Sequence, residues 1–196
     1  MLFEQGAYAR ASTILEEALT EADDLGQAGE AAEALLNLGH IAMAHGDQAH
    51  ASYRYETALG RYRALGNRRG ESYALLNLGW VRVARRTDRE AIAFFRDALS
   101  IMQSLGDVWG HTSCLEGLAL TTFSGAPNHA RTVVVICGAV ATARASMGAA
   151  PSAITRAQVE EALARARATL GADSYAAAWD EGQAIDLEQA TVLAGS

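Results

Sequence analysis

The chain has 196 residues, half of them hydrophobic, with a formal net charge of −7 and a pI near 5.2. That suffices for one sizeable core or one continuous repeat array, and the acidic balance argues against a nucleic-acid-binding body. No stretch approaches the roughly 20 unbroken apolar residues of a membrane span, and the opening MLFEQGAYAR lacks the charged-then-apolar layout of a secretion signal, so a cytoplasmic protein that contacts no membrane is expected.

Taken in chain order, the sequence is built on a period of 40. Leu35 to Gly66 aligned with Leu75 to Gly106 gives 11 identities in 32 positions without a gap. Each unit reads as two helices. The second carries small and large apolar residues in steps of four and three: Ala11, Leu15, Ala18, Ala22 and Leu25; then Ala51, Tyr55, Ala58, Tyr62 and Leu65; then Ala91, Phe95, Ala98, Met102 and Leu105. That spacing predicts one helical face on which a neighbouring helix can approach closely. Each of these helices is expected to end at Leu-Gly, the glycine taking the left-handed position that stops a helix. Asn67 and Asp107 then serve as N-caps, and Thr87 with Glu90 as a capping box. Neither helix of a unit can bury its apolar face alone, so the units are expected to stack into an α-solenoid.

The charges divide unevenly along this array. Eight acids and one arginine occupy the first 33 residues, whereas ten arginines lie between Arg54 and Arg96 among only Glu56, Glu71, Asp88 and Glu90. Such a split fits either solvated outer faces or a docking face between units. Cys114 and Cys137 sit in apolar segments without metal-ligand spacing and read as buried free thiols. His40, His45 and His50 recur every five residues, which walks around a helix instead of stacking two ligands. The paired acids Glu16-Glu17 and Asp23-Asp24 do not converge on a bond as hydrolytic carboxylates must, and nothing places a serine on a strained turn beside a base. Neither an enzyme nor a bound cofactor or metal is expected.

At Leu38-Gly39 and Leu78-Gly79, with Ala51, Tyr55, Ala58 and Ala91, Phe95, Ala98, the pattern resembles the tetratricopeptide repeat over about residues 1–148. Leu118-Ala119 marks a degenerate further unit, whose Val133 to Cys137 run looks like a strand in isolation but falls where the repeat requires a helix. The resemblance implies an all-α, right-handed solenoid of about 3.5 helix pairs. It also implies that the first helices line a concave groove. Glu33, Leu36, Asn37, His40 and Met43 would face that groove in one unit, and Tyr73, Leu76, Asn77, Trp80 and Val83 in the next. Ser113, Glu116, Gly117, Leu120 and Phe123 would follow in the third.

The partner-binding candidates are therefore Asn37, His40, Met43, Tyr73, Asn77, Trp80, Glu116 and Phe123. A column of asparagines can bond the backbone of an extended peptide; Asn37 and Asn77 either do this or tie neighbouring helices together, and Gly117 breaks the column. Trp80 either offers interface area or packs between repeats. Leu36, Leu76 and Glu116 stand where a basic clamp for a terminal carboxylate would need lysine or arginine.

Residues 149–196 are expected to form three shorter capping helices. Thr155 with Gln158 would open the first, closing at Leu170-Gly171; the second would end at Gly182; Asp186 with Gln189 would cap the third. Tyr175, Trp179 and Leu187 would plug the open end of the solenoid. This tail resembles the end of the repeat region in large bacterial ATP-binding regulators of LuxR type, and the truncated first unit suggests a piece of a longer chain. No glycine-rich loop ending in Gly-Lys-Ser/Thr and no basic recognition helix lies in these residues. The resemblance implies a sensor segment that binds a peptide or protein segment, even a domain of its own parent. A small-molecule inducer site inside the superhelix and a self-association scaffold are the alternatives.

Overall fold

The computed structural model describes residues 2–125, 129–150 and 153–195, with side chains described from residue 8 onward except at 123–125 and 153–154. Every described element is a helix: α1 (Leu2–Asp24), α2 (Ala28–Ala44), α3 (Gln48–Ala64), α4 (Arg68–Ala84), α5 (Asp88–Leu105), α6 (Val108–Gly125), α7 (Ala130–Met147), α8 (Ala153–Leu170), α9 (Ala172–Ala184) and α10 (Leu187–Gly195). Consecutive helices pack against one another from α1 to α7, and α4 also meets α2 and α6. The chain is an all-α helical repeat solenoid.

The expected small-large alternation forms the core. Ala51, Ala58, Ala91, Phe95, Ala98 and Met102 are fully buried, and Tyr55 nearly so. Gly39, Gly79 and Gly117, one in each first helix, lie beneath an aromatic ring. A Cβ at Gly39 would collide with Tyr55, and one at Gly79 or Gly117 with Phe95, so Phe95 is held between two successive first helices. In α1 the expected face holds only in part: Ala22 is buried, Ala11 and Leu15 are half-buried, and Ala18 is exposed while Leu19 packs on the core. In all three sets the period fails at its last member. Leu25, Leu65 and Leu105 are exposed, because each sits where the helix turns into its left-handed glycine, and the turn swings the side chain away from the stack.

Gly26, Gly66, Gly106 and Gly148 all have φ between 62° and 68°. Asn67 and Asp107 cap as expected, their carboxamide and carboxylate oxygens accepting from the backbone N–H of Gly70 and Gly110 at 2.9 Å. Thr87 does not form its capping box: its hydroxyl donates to the Arg82 carbonyl at 3.2 Å, while Glu90 is drawn to the Arg82 guanidinium at 2.7 Å. A charged partner outcompetes a neutral backbone donor for that carboxylate. The uneven charge distribution is used between units. Arg54 reaches Glu16 at 2.5 Å and Arg61 pairs with Asp23, joining α3 to α1.

Val133 to Cys137 is helical and buried within α7. By length and mean hydropathy (1.3) α7 is apolar enough to cross a membrane, yet α6, α8, α9 and α10 all pack on it, and it is the core helix of the C-terminal half. The tail differs from expectation in three ways. Its first helix, α8, has 18 residues and is as long as a repeat helix. That helix begins at Ala153, ahead of Thr155, so Thr155 and Gln158 lie inside it instead of opening it. Gly182 does not end α9, which continues to Ala184; it is buried at the crossing with α7, where a Cβ would strike the Val135 carbonyl. Asp186 and Gln189 do form their reciprocal box, at 2.8 and 3.1 Å. Tyr175, Trp179 and Leu187 pack, half-buried, against the core.

Candidate functional site

The first helices α2, α4 and α6 bring their side chains to one face, and α8 lies beside them. Between them is a partly open cavity of about 360 Å³. His40 and Met43 come from α2, Leu76, Asn77 and Trp80 from α4, and Trp109, Ser113 and Glu116 from α6. Arg144 on α7 forms the inner wall, and Thr155 and Gln158 on α8 the far side. Most of the lining area is apolar, with a few convergent polar groups, the composition of a small-molecule pocket.

Five of the eight residues singled out from the sequence line this cavity: His40, Met43, Asn77, Trp80 and Glu116. Trp80 is half-buried with its ring edge-on to Phe95 at 5.3 Å. It combines the two readings, one side packed between repeats and the other facing the cavity. Asn77 Nδ2 donates to the Tyr73 carbonyl one turn back on α4 at 2.8 Å. The His40 ring lies edge-on to Tyr55 at 5.6 Å. Desolvation there lowers the His40 pKa from its ordinary value, with the Asn77 carboxamide opposing, so the neutral imidazole is favoured.

Of the other three, Asn37 and Tyr73 do not line it. Asn37 is half-buried on α2 but outside the cavity lining, so the two asparagines do not form a continuous column facing it. Tyr73 stacks on Trp109 at 6.1 Å and donates its hydroxyl to Asp107 Oδ2 at 2.8 Å, joining α4 to α6. Burial first, and Asp107 second, push its phenol up to about 12. Phe123 belongs to α6, but its side chain lies outside the described residues.

Arg144 escaped the sequence reading, and it is the centre of the polar wall. It is 5% exposed and Glu116 4%. Its Nε donates to Glu116 Oε1 at 2.9 Å and its Nη2 to Oε2 at 2.7 Å, a bidentate pair joining α7 to α6; Nη2 also reaches Ser113 Oγ at 3.1 Å. Burial raises the Glu116 pKa and the guanidinium opposes it. A legible signal existed: Glu116 is the only acid in α6, and Arg144 one of only two charged residues in α7. A lone acid on one apolar helix is expected to find one of the two arginines of the next.

Compared with known proteins, the chain matches no protein-family model and shows no significant similarity to a curated sequence. Its functional reading rests on the cavity. Among the described residues no group of three His, Cys, Asp or Glu side chains is placed to hold a metal, and the thiols of Cys114 and Cys137 are free and buried, their pKa values raised by desolvation.

Proposed function

We propose that this chain is a non-catalytic binding and sensor segment of tetratricopeptide type, belonging to a larger bacterial regulator, and that it holds a compact molecule between its repeats and its tail. The position of α8 carries this reading. Thr155 and Gln158 line the same cavity as His40, Asn77 and Trp80, so the tail borders the groove on the side along which an extended peptide would run. A cavity of about 360 Å³ with two tryptophans and a few polar groups has the size and lining of small-ligand sites. Its charged residues are locked in a buried pair and offer no nucleophile beside a base. A protein segment inserting one aromatic side chain is the second reading, favoured by the 42% exposure of Trp109 at the rim.

Ligand entry between α4, α6 and α8 would bias how the tail sits on the repeats, which is how a sensor passes its state on. Hydrogen–deuterium exchange of the full chain, with and without millimolar quinoline or indole, tests the reading. Protection is expected in α4, α6 and α8 together. Protection confined to the outer helices α3 and α5, or none at all, would sink it.

A further inference from the structure

A second cavity of about 340 Å³ lies where α7, α8 and α9 meet, and it is partly open. Glu116 and Arg144 border it as they border the first cavity, so the buried pair forms part of the wall between the two. Side-chain size explains the space. Ala141 and Ala145 of α7, with Ala149 and Ala150 beyond its end, are too short to fill the gap to Val159 and Leu163 of α8. Trp179 closes the α9 side, where the helices cross so tightly that a Cβ at Gly138 would stand 2.8 Å from the Trp179 carbonyl oxygen.

Charge narrows the guest. The charged residues that border this cavity are Glu116, Arg144 and Arg156. Glu116 and Arg144 neutralise each other in their bidentate pair. Arg156, exposed on α8, has no ion-pair or hydrogen-bond partner among the described residues. Glu160 stands one turn further along the same helix, at a spacing that allows a pair, and does not take it. The first turn of α8 holds no acid either, so nothing local offsets the guanidinium. Two guanidiniums against one carboxylate leave one positive charge in excess beside apolar walls. A guest with an apolar body and a single negative charge matches that balance, whereas a dianion would bring surplus negative charge beside Glu116. A carboxylate can accept two parallel N–H bonds from a guanidinium, and at an exposed arginine it keeps part of its hydration. Apart from Trp179 the apolar walls are aliphatic, which suits an alkyl chain.

We infer that this second cavity takes a medium-chain alkyl carboxylate, its chain among Ala141, Val159, Leu163 and Trp179 and its carboxylate held at the exposed rim by Arg156. The Glu116–Arg144 pair serves as wall and contributes no bond to the guest. The site is separate from the compact-ligand site of the first cavity and stands or falls without it.

Titration of the isotope-labelled full chain with octanoate and with octanol, followed by nuclear magnetic resonance, tests this. The chain has three tryptophans, and their indole N–H signals tell the sites apart: Trp179 borders the second cavity, Trp80 and Trp109 the first. Octanoate is expected to shift Trp179 most. Arg156→Gln should weaken octanoate about threefold, the worth of an exposed ion pair, and leave octanol unchanged. Arg156→Glu should weaken octanoate further. Ala141→Leu, which fills the space, should weaken both probes; if that variant loses its helical circular dichroism, Ala145→Leu replaces it. No binding of octanoate at millimolar concentration, or shifts concentrated on Trp80 and Trp109, would overturn the inference. Octanoate affinity that Arg156→Gln leaves unchanged, or that falls only as much as octanol's, would overturn the choice of a carboxylate.

Discussion

His111 shows how a single side chain can set the acid limit of the fold. It is 5% exposed on α6, and its Nε2 shares a hydrogen bond with the Thr191 hydroxyl of α10 at 2.8 Å. Desolvation lowers its pKa from the ordinary 6.5, with Glu188 opposing. The folded state thus binds its proton less readily than the unfolded chain. Stability from this residue is complete above about pH 6.5 and is lost as pH falls through the lower folded-state value. His40 adds a loss of the same sign. Urea midpoints should fall between neutral and mildly acidic pH, and His111→Gln should flatten part of that fall. An unchanged pH slope in the variant would remove His111 from the account.

At the scale of elements, the repeat lets one turn be compared with another. After α2 the turn uses Gly46 at φ 75°; 40 residues later the same turn after α4 uses Arg86 at φ 58°. Both make the same backbone bond, from Gly46 to the Met43 carbonyl and from Arg86 to that of Val83, each at 3.0 Å. An L-residue with a β-carbon is strained there by about 1–2 kcal/mol, and glycine recovers part of this after its own entropy loss. Arg86→Gly is expected to stabilise the chain by about 0.5–1 kcal/mol. A raised urea midpoint at unchanged slope would show it, and a lowered midpoint would count against it. The turns, helix pairs and core were legible because each depends on residues within one 40-residue period. The site was legible only in half. His40, Asn77 and Trp80 follow from the repeat register, but Arg144 meets Glu116 across 28 residues and Gln158 comes from outside the repeat. Thr155 and Gln158 have the spacing of a cap and instead face the cavity, because α8 starts one turn earlier than its polar residues suggest.

Across the whole molecule, stability should be graded, since a stack holds each helix by its neighbours. At the far end α7 is enclosed by α6, α8, α9 and α10, and in the middle α4 touches α2, α3, α5 and α6. At the near end α1 packs chiefly on α2. Ile14 on α1 remains 62% exposed. The Arg54–Glu16 and Arg61–Asp23 pairs therefore carry an unusual share of the work of holding α1 in place. Exposed pairs of this kind weaken as salt shortens the screening length to about 3 Å at 1 M. Native-state hydrogen exchange should find α1 opening most readily and α5 and α7 least. Raising sodium chloride from about 0.05 to 1 M should speed exchange in α1 roughly fivefold while leaving α7 unchanged. In Glu16→Gln/Asp23→Asn, α1 should exchange fast at both salt concentrations. A salt effect spread evenly over all helices, or one that persists in the double variant, would show that these pairs do not anchor the end of the stack.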